Sequence, residues 1–99
     1  MSTKKSKKFI EKIIGAKLNL ASLLNAIRLG EELNQVEFAQ MLGISKSHLC
    51  DIEKGRKLVS PERAYNVAKL LGYSEKQFVR LALQQVLDNS GIKMKVEVA

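Results

Sequence analysis

From Asn19 onward, apolar residues recur every three to four positions in successive runs separated by glycines and short polar residues. That spacing puts each run on one side of a 3.6-residue helix. Leu20, Leu23, Leu24 and Ile27 form the first stripe, with Asn19 where an N-cap is needed and an end near Gly30. Asn34 caps a second helix whose predicted buried side is Val36, Phe38, Ala39 and Leu42. Gly43 stops it, being suited to a left-handed position after the last turn. Ser45 caps a third helix running to about Lys54 and ended by Gly55. Ser60-Pro61 reads as an N-cap followed by proline at the first helical position, where its missing N–H costs nothing. Ala64, Val67, Ala68 and Leu71 are the inner stripe of this fourth helix, which Gly72 closes. Ser74-Glu75-Lys76-Gln77 has the form of a capping box opening a fifth helix, with Phe78, Leu81, Ala82, Gln85 and Val86 as its stripe. Val79, Leu83 and Leu87 widen that apolar surface beyond what one core contact requires.

The flanks read differently. Phe9, Ile10, Ile13, Ile14 and Leu18 predict a short helix over 9–18, preceded by a basic arm over 1–8. After Asp88-Asn89-Ser90-Gly91 the period changes, and Ile92, Met94, Val96 and Val98 alternate with Lys93, Lys95 and Glu97. Period two is the pattern of a half-buried strand. A lone strand leaves its backbone polar groups unsatisfied, so this one either pairs with the same strand of a second copy or is a frayed tail. The expected organisation is a basic arm and short helix over 1–18, an all-α domain over 19–90, and a C-terminal strand or tail over 91–99.

Composition narrows the class. A chain of 99 residues supports one helical core. Hydrophobic residues at 45% and charged residues at 27% exclude an intrinsically disordered chain. With two Tyr, three Phe and no Trp, that core must be largely aliphatic. Seventeen Lys and Arg against ten Asp and Glu give a net charge of +7, which favours a polyanionic partner: nucleic acid first, an anionic membrane surface second. Lys4, Lys5, Lys7 and Lys8 crowd the first eight residues. The single cysteine, Cys50, allows no internal disulfide and suggests a reducing compartment. No apolar stretch approaches the roughly 20 residues of a membrane span. Glu11 and Lys12 interrupt the run from Phe9 to Ile14, unlike a secretory signal. A cytoplasmic protein without a membrane role is expected.

The chemistry concentrates in residues 35–55, QVEFAQMLGISKSHLCDIEKG. Two short helices pack at a steep angle only if their backbones approach closely and the connection turns sharply. Small Ala39 meets the first demand, Gly43 four residues later the second, and Leu49 anchors the following helix against the first. This Ala-x3-Gly-x5-Leu spacing inside capped helices is a helix-turn-helix arrangement. On a wheel of about 100° per residue, Leu49 and Ile52 define the inward side of the third helix. Ser47, Asp51 and Lys54 fall opposite, Cys50 at the edge, and Lys46 at the start. A short polar face of this kind fits a major groove about 12 Å wide. No catalytic, cofactor or metal site is expected. His48 and Cys50 diverge on the helix with no further His or Cys to complete a metal set. Ser47, His48 and Asp51 have the letters of a triad without its geometry.

These stretches, LNQVEFAQMLGIS and SHLCDIEKG followed by SPERAYNVAKLLG, resemble the phage repressor and Cro type (XRE-like) of helix-turn-helix transcriptional regulators, a family that includes antitoxins. The resemblance runs from about Leu23 to Leu83 and implies a lambda-repressor-like five-helix fold. It implies base reading by Lys46, Ser47 and Asp51, with Gln35 holding a phosphate and buttressing the reading helix. Asn34, Lys54, Arg56 and Lys57 match backbone-contacting positions. Arg28 and Glu53 match an internal salt bridge near the phosphates, which puts Arg28 in the phosphate-binding group. His48, some 70° from the inward side, is expected to pack partly buried or touch phosphate. Known phage members carry glutamines at the reading positions, where this chain does not. Asp51 either accepts from a cytosine amine or pairs with Lys54.

The reading that follows is a homodimeric repressor on double-stranded DNA, bound to an inverted-repeat operator. The wide face of the fifth helix and the 92–98 strand are the dimer elements. One rival is an antitoxin that neutralises a small toxin protein and represses its own operon. Another is a basic membrane-surface or nucleoid-packing peptide without sequence preference.

Overall fold

The computed structural model describes residues 19–99; the basic arm and the helix expected over 9–18 lie outside the described residues. Five helices follow in order: α1 (Leu20–Gly30), α2 (Gln35–Leu42), α3 (Lys46–Glu53), α4 (Pro61–Leu71) and α5 (Glu75–Asn89). Every one opens on an N-cap whose side-chain oxygen accepts a backbone N–H three residues on: Asn19, Asn34, Ser45, Ser60 and Ser74. Each cap satisfies a donor that the helix leaves orphaned, a contribution of about 1 kcal/mol apiece. At α2 the cap is reciprocal, because Glu37 Oε1 also accepts from the Asn34 N–H at 2.9 Å. The box expected at α5 is only half made. Gln77 Oε1 takes two bonds from the Arg80 guanidinium, so nothing returns to the Ser74 N–H.

The described residues fall into two compact units, one ending at Lys57 and the other spanning Leu58–Ala99. In the first, α3 packs against both α1 and α2. Its core is Leu20, Leu23, Leu24 and Ile27 of α1, Phe38 and Ala39 of α2, and Leu49 and Ile52 of α3, all buried. Val36, expected on the buried side of α2, is instead 49% exposed. Two residues turn a helix by about 200°, so Val36 cannot share a face with Phe38.

Two turns set how α3 is presented. Gly43 follows α2 at φ 73°, and the Ile44 N–H returns to the Ala39 carbonyl at 3.0 Å. A Cβ on Gly43 would meet nothing within 4 Å, so dihedral strain alone makes glycine the right residue. At the end of α1, Glu32 takes a left-handed φ of 56°, two residues after Gly30. The Leu33 N–H then reaches the Arg28 carbonyl at 3.1 Å, closing the helix with a strained residue where glycine would sit freely.

In the second unit α4 packs on α5. The core is Val59, Ala64, Val67, Ala68, Tyr73, Phe78, Leu81 and Ala82, with the Tyr73 and Phe78 rings stacked at 5.8 Å. Val86, predicted in the α5 stripe, is 41% exposed. α5 has 15 residues against 11 in α4, about 6 Å more, and its buried residues end at Ala82.

The strand expected over 92–98 does not form, and there is no strand among the described residues. A ladder needs a second backbone, and here the partner is one side chain. Gln84 Nε2 donates to the Met94 carbonyl at 2.8 Å, and its Oε1 accepts from the Val96 N–H at 2.9 Å. Ile92, Met94 and Val98 stay exposed.

The two strained turns predict stability changes of opposite sign, read as urea-unfolding midpoints. Gly43→Ala lowers stability by about 1–2 kcal/mol despite the open space around it. Glu32→Gly raises it by about 0.5 kcal/mol, the strain relieved less the extra chain entropy of glycine. A neutral Gly43→Ala would show that the turn does not need its left-handed residue.

Candidate nucleic-acid interface

A carboxylate at the end of α3 organises the first unit. Glu53 lies at the helix C-terminus, where the backbone dipole disfavours negative charge, and its side chain is only 5% exposed. Four donors compensate. Arg28 Nε reaches Oε2 at 2.9 Å, and Oε1 accepts from Arg28 Nη2 at 3.2 Å, Gln35 Nε2 at 3.0 Å and Asn25 Nδ2 at 3.3 Å. Burying a charge costs several kcal/mol, while each hydrogen bond to a charged group returns about 1.5–3. The bonds prevail: burial pushes the Glu53 carboxyl upward, but the bonds from Arg28, Gln35 and Asn25, with the Arg28 charge, hold it below the usual carboxylate range. The third arm of Arg28, Nη1, donates to the Leu33 carbonyl at 3.0 Å. One cluster therefore ties α1, the first residue of α2 and the last residue of α3.

With its far end held there and Leu49 and Ile52 in the core, α3 leaves its start in solvent. Lys46 and Ser47 are exposed; Asp51 is half-buried, with its side chain 30% exposed. His48 and Cys50 are half-buried on the flanks. Lys54 caps the helix, Gly55 turns the chain, and the Arg56 and Lys57 N–H groups both bond the Asp51 carbonyl, at 2.7 and 3.2 Å. Lys54, Arg56 and Lys57 are thereby gathered, all exposed, beside the end of α3. The wrap also selects a partner for Asp51. Its carboxylate pairs with Arg56 at 3.7 Å, and not with Lys54. At that distance, with Arg56 67% exposed, the pair contributes little and leaves the carboxylate open to other donors.

The sequence-predicted phosphate group divides by availability. Lys54, Arg56 and Lys57 are exposed, and Asn34 is exposed with its oxygen committed to the cap, which leaves its amide NH2 as donor. Gln35 turns its NH2 to Glu53, making it the buttress between α2 and α3. Arg28 is 13% exposed with Nε, Nη1 and Nη2 all engaged. Asn25 was missed by sequence reasoning, although it lies one turn before Arg28 and so faces the same way. Among the described residues no group of His, Cys, Asp or Glu could hold a metal ion, and no helix is long and apolar enough to cross a membrane.

The lowered Glu53 pKa gives a pH dependence with a definite sign. Its contribution is complete above the unfolded-chain value of about 4.3 and is lost as pH falls through the lower folded value. In urea unfolding from about pH 6 down to about pH 3, wild type loses stability more steeply than Glu53→Gln, which starts lower. Parallel slopes would show that Glu53 is not held ionised by its partners. Arg28→Ala, which strands a buried carboxylate, costs about 3 kcal/mol at neutral pH.

Comparison with known proteins accords with this geometry. A family model described as helix-turn-helix matches residues 24–78, from α1 into α5. No curated protein and no solved structure matches the chain. The matched span includes the Gly43 turn, all of α3 and the Glu53 cluster, and the chain belongs to the helix-turn-helix family of phage repressor and Cro type, a family of DNA-binding transcriptional regulators.

Proposed function

We propose that this chain is a sequence-specific repressor that binds an inverted-repeat operator as a homodimer, with α3 reading the major groove. The observation that carries this reading is the contrast along α3: Leu49 and Ile52 sealed in the core, Lys46 and Ser47 open to solvent. Lys46 donates to guanine O6 or N7, Ser47 bonds either base of a pair, and Asp51 accepts from a cytosine amine. Lys54, Arg56 and Lys57, with the Asn34 amide and His48 at the margin, neutralise phosphates and fix the helix in register. Gln35 and Arg28 act one step back, since their donors hold Glu53. The phosphate contact that the family resemblance implies for Gln35 falls to the backbone N–H groups of Gln35 and Val36 at the start of α2, its side-chain NH2 being held by Glu53, and Arg28 is assigned to positioning.

Charge supports a two-part affinity. Residues 1–18 hold six lysines and one glutamate, so five of the seven net positive charges lie there. That stretch supplies sequence-independent attraction, and α3 supplies preference. Two copies related by a two-fold axis would grip major grooves about 34 Å apart, giving half-sites one turn apart.

Selection of bound sites from randomised duplexes tests this directly, with a palindromic preference as the expected result. On the selected duplex, Lys46→Ala relaxes preference at one position per half-site, costing about 1–3 kcal/mol per contact. Replacing Lys4, Lys5, Lys7 and Lys8 by alanine weakens all duplexes alike and flattens the salt dependence by about 0.9 per lost phosphate contact. Equal binding to every sequence, unaffected by Lys46→Ala, would remove the proposal and favour a non-specific nucleic-acid packer.

A further inference from the structure

We infer that Arg56 determines specificity: it leaves Asp51 for a DNA phosphate only when Asp51 has found a base amine. The inference rests on the groove-reading proposal above and adds to it a coupling between one reading residue and one phosphate-binding residue. Of Lys46, Ser47 and Asp51, only Asp51 is anionic, and DNA brings a dense row of phosphates toward it. An uncompensated carboxylate there would repel every duplex, whatever its sequence. Arg56 compensates it in the free protein, with Nη1 3.7 Å from Oδ1. Its main chain is tethered to the same residue, since the Arg56 N–H bonds the Asp51 carbonyl at 2.7 Å. Lys54 lies three residues after Asp51, and the Lys57 N–H shares the Asp51 carbonyl at 3.2 Å, yet neither lysine forms an ion pair among the described residues. Among those residues Arg56 is therefore the one cation of this loop with an internal anionic partner.

The pair is built to be exchanged. Its separation is long for a charge-assisted hydrogen bond, and at 67% exposure the Arg56 side chain is open to other anions. A phosphate offers the guanidinium two oxygens that match its fork. The base decides whether the exchange occurs. Cytosine presents its N4 amine to the carboxylate, which then has a donor and releases Arg56 to the sugar-phosphate backbone. Thymine presents O4, an acceptor, in the same place. The carboxylate then keeps Arg56, and the phosphate contact is not made. A wrong base thus costs two contacts, one to the base and one to the backbone.

Site selection with wild type and with Asp51→Ala locates the cytosine, as the position whose preference the substitution relaxes. Binding is then titrated against salt on the selected duplex and on the same duplex with that cytosine changed to thymine in both half-sites. Wild type has a salt slope steeper by about 0.9 per half-site on the cytosine duplex. Asp51→Asn still accepts from the amine but places no charge beside Arg56, and it gives the steep slope on both duplexes. Arg56→Gln gives the shallow slope on both and lowers the preference for cytosine severalfold. Neither substitution removes the backbone bonds of the loop, and circular dichroism verifies that each variant stays helical. Equal wild-type slopes, or an Arg56→Gln variant that weakens both duplexes by the same factor, would each mark a plain phosphate contact and overturn the coupling while leaving groove reading intact. A selected palindrome with no position sensitive to Asp51→Ala overturns it as well and leaves the reading to Lys46 and Ser47. Failure to select any duplex removes the proposed function itself, and this inference with it.

Discussion

The first unit depends on keeping one carboxylate charged where water barely reaches it. Glu53 sits at the wrong end of its helix for a negative group and is nearly buried, so it is stable only while Arg28, Gln35 and Asn25 all point at it. Those donors come from two other helices. Satisfying the charge therefore fixes the end of α3 relative to α1 and to the first turn of α2, which apolar packing alone specifies less sharply. Leu49 and Ile52 could slide or rotate among aliphatic neighbours at modest cost; a four-bonded carboxylate cannot.

That anchoring has a functional consequence. α3 is eight residues long, about 12 Å, so a helix held at its last residue and along one side is held throughout. Its first turn can then remain free of protein contacts without becoming disordered. Lys46 and Ser47 are presented by a rigid support, which in the proposed reading lowers the ordering cost of docking into a groove. The Gly55 turn extends the arrangement by folding Arg56 and Lys57 back over Asp51, so the basic loop and the helix face move as one piece. Family membership accounts for DNA binding as a class; in the proposed reading, the identities of Lys46, Ser47 and Asp51 set which bases are preferred.

Much of this was legible in the sequence, for reasons that differ by feature. All five caps and the left-handed Gly43 are local devices, decided by residues within one turn of each other, and they stand where the spacing places them. Burial is a matter of partners, and periodicity is blind to these: the four apolar letters of α2 do not share one face, so Val36 is exposed, and the stripe of α5 does not show how far along the helix burial extends, so Val86 is exposed too. The Arg28–Glu53 bridge spans 25 positions and entered only through the family resemblance. Asn25 could have been found by stepping one turn back from Arg28. The tail shows the opposite case. Its alternation predicts a half-buried strand, yet a strand is defined by a ladder, and no residue pattern announces that the Gln84 side chain will bond the backbone of the tail instead.

Amide chemical-shift mapping of the isotope-labelled full chain, as a DNA duplex is added, shows whether α3 is the element that meets DNA. The largest changes are expected on Lys46 to Asp51 and the loop of Lys54, Arg56 and Lys57, together with the Gln35 side-chain amide, while the buried Leu49 and Ile52 methyls keep their packing contacts. Shifts gathered in α4 and α5, with the amides at the start of α3 unmoved, would contradict it.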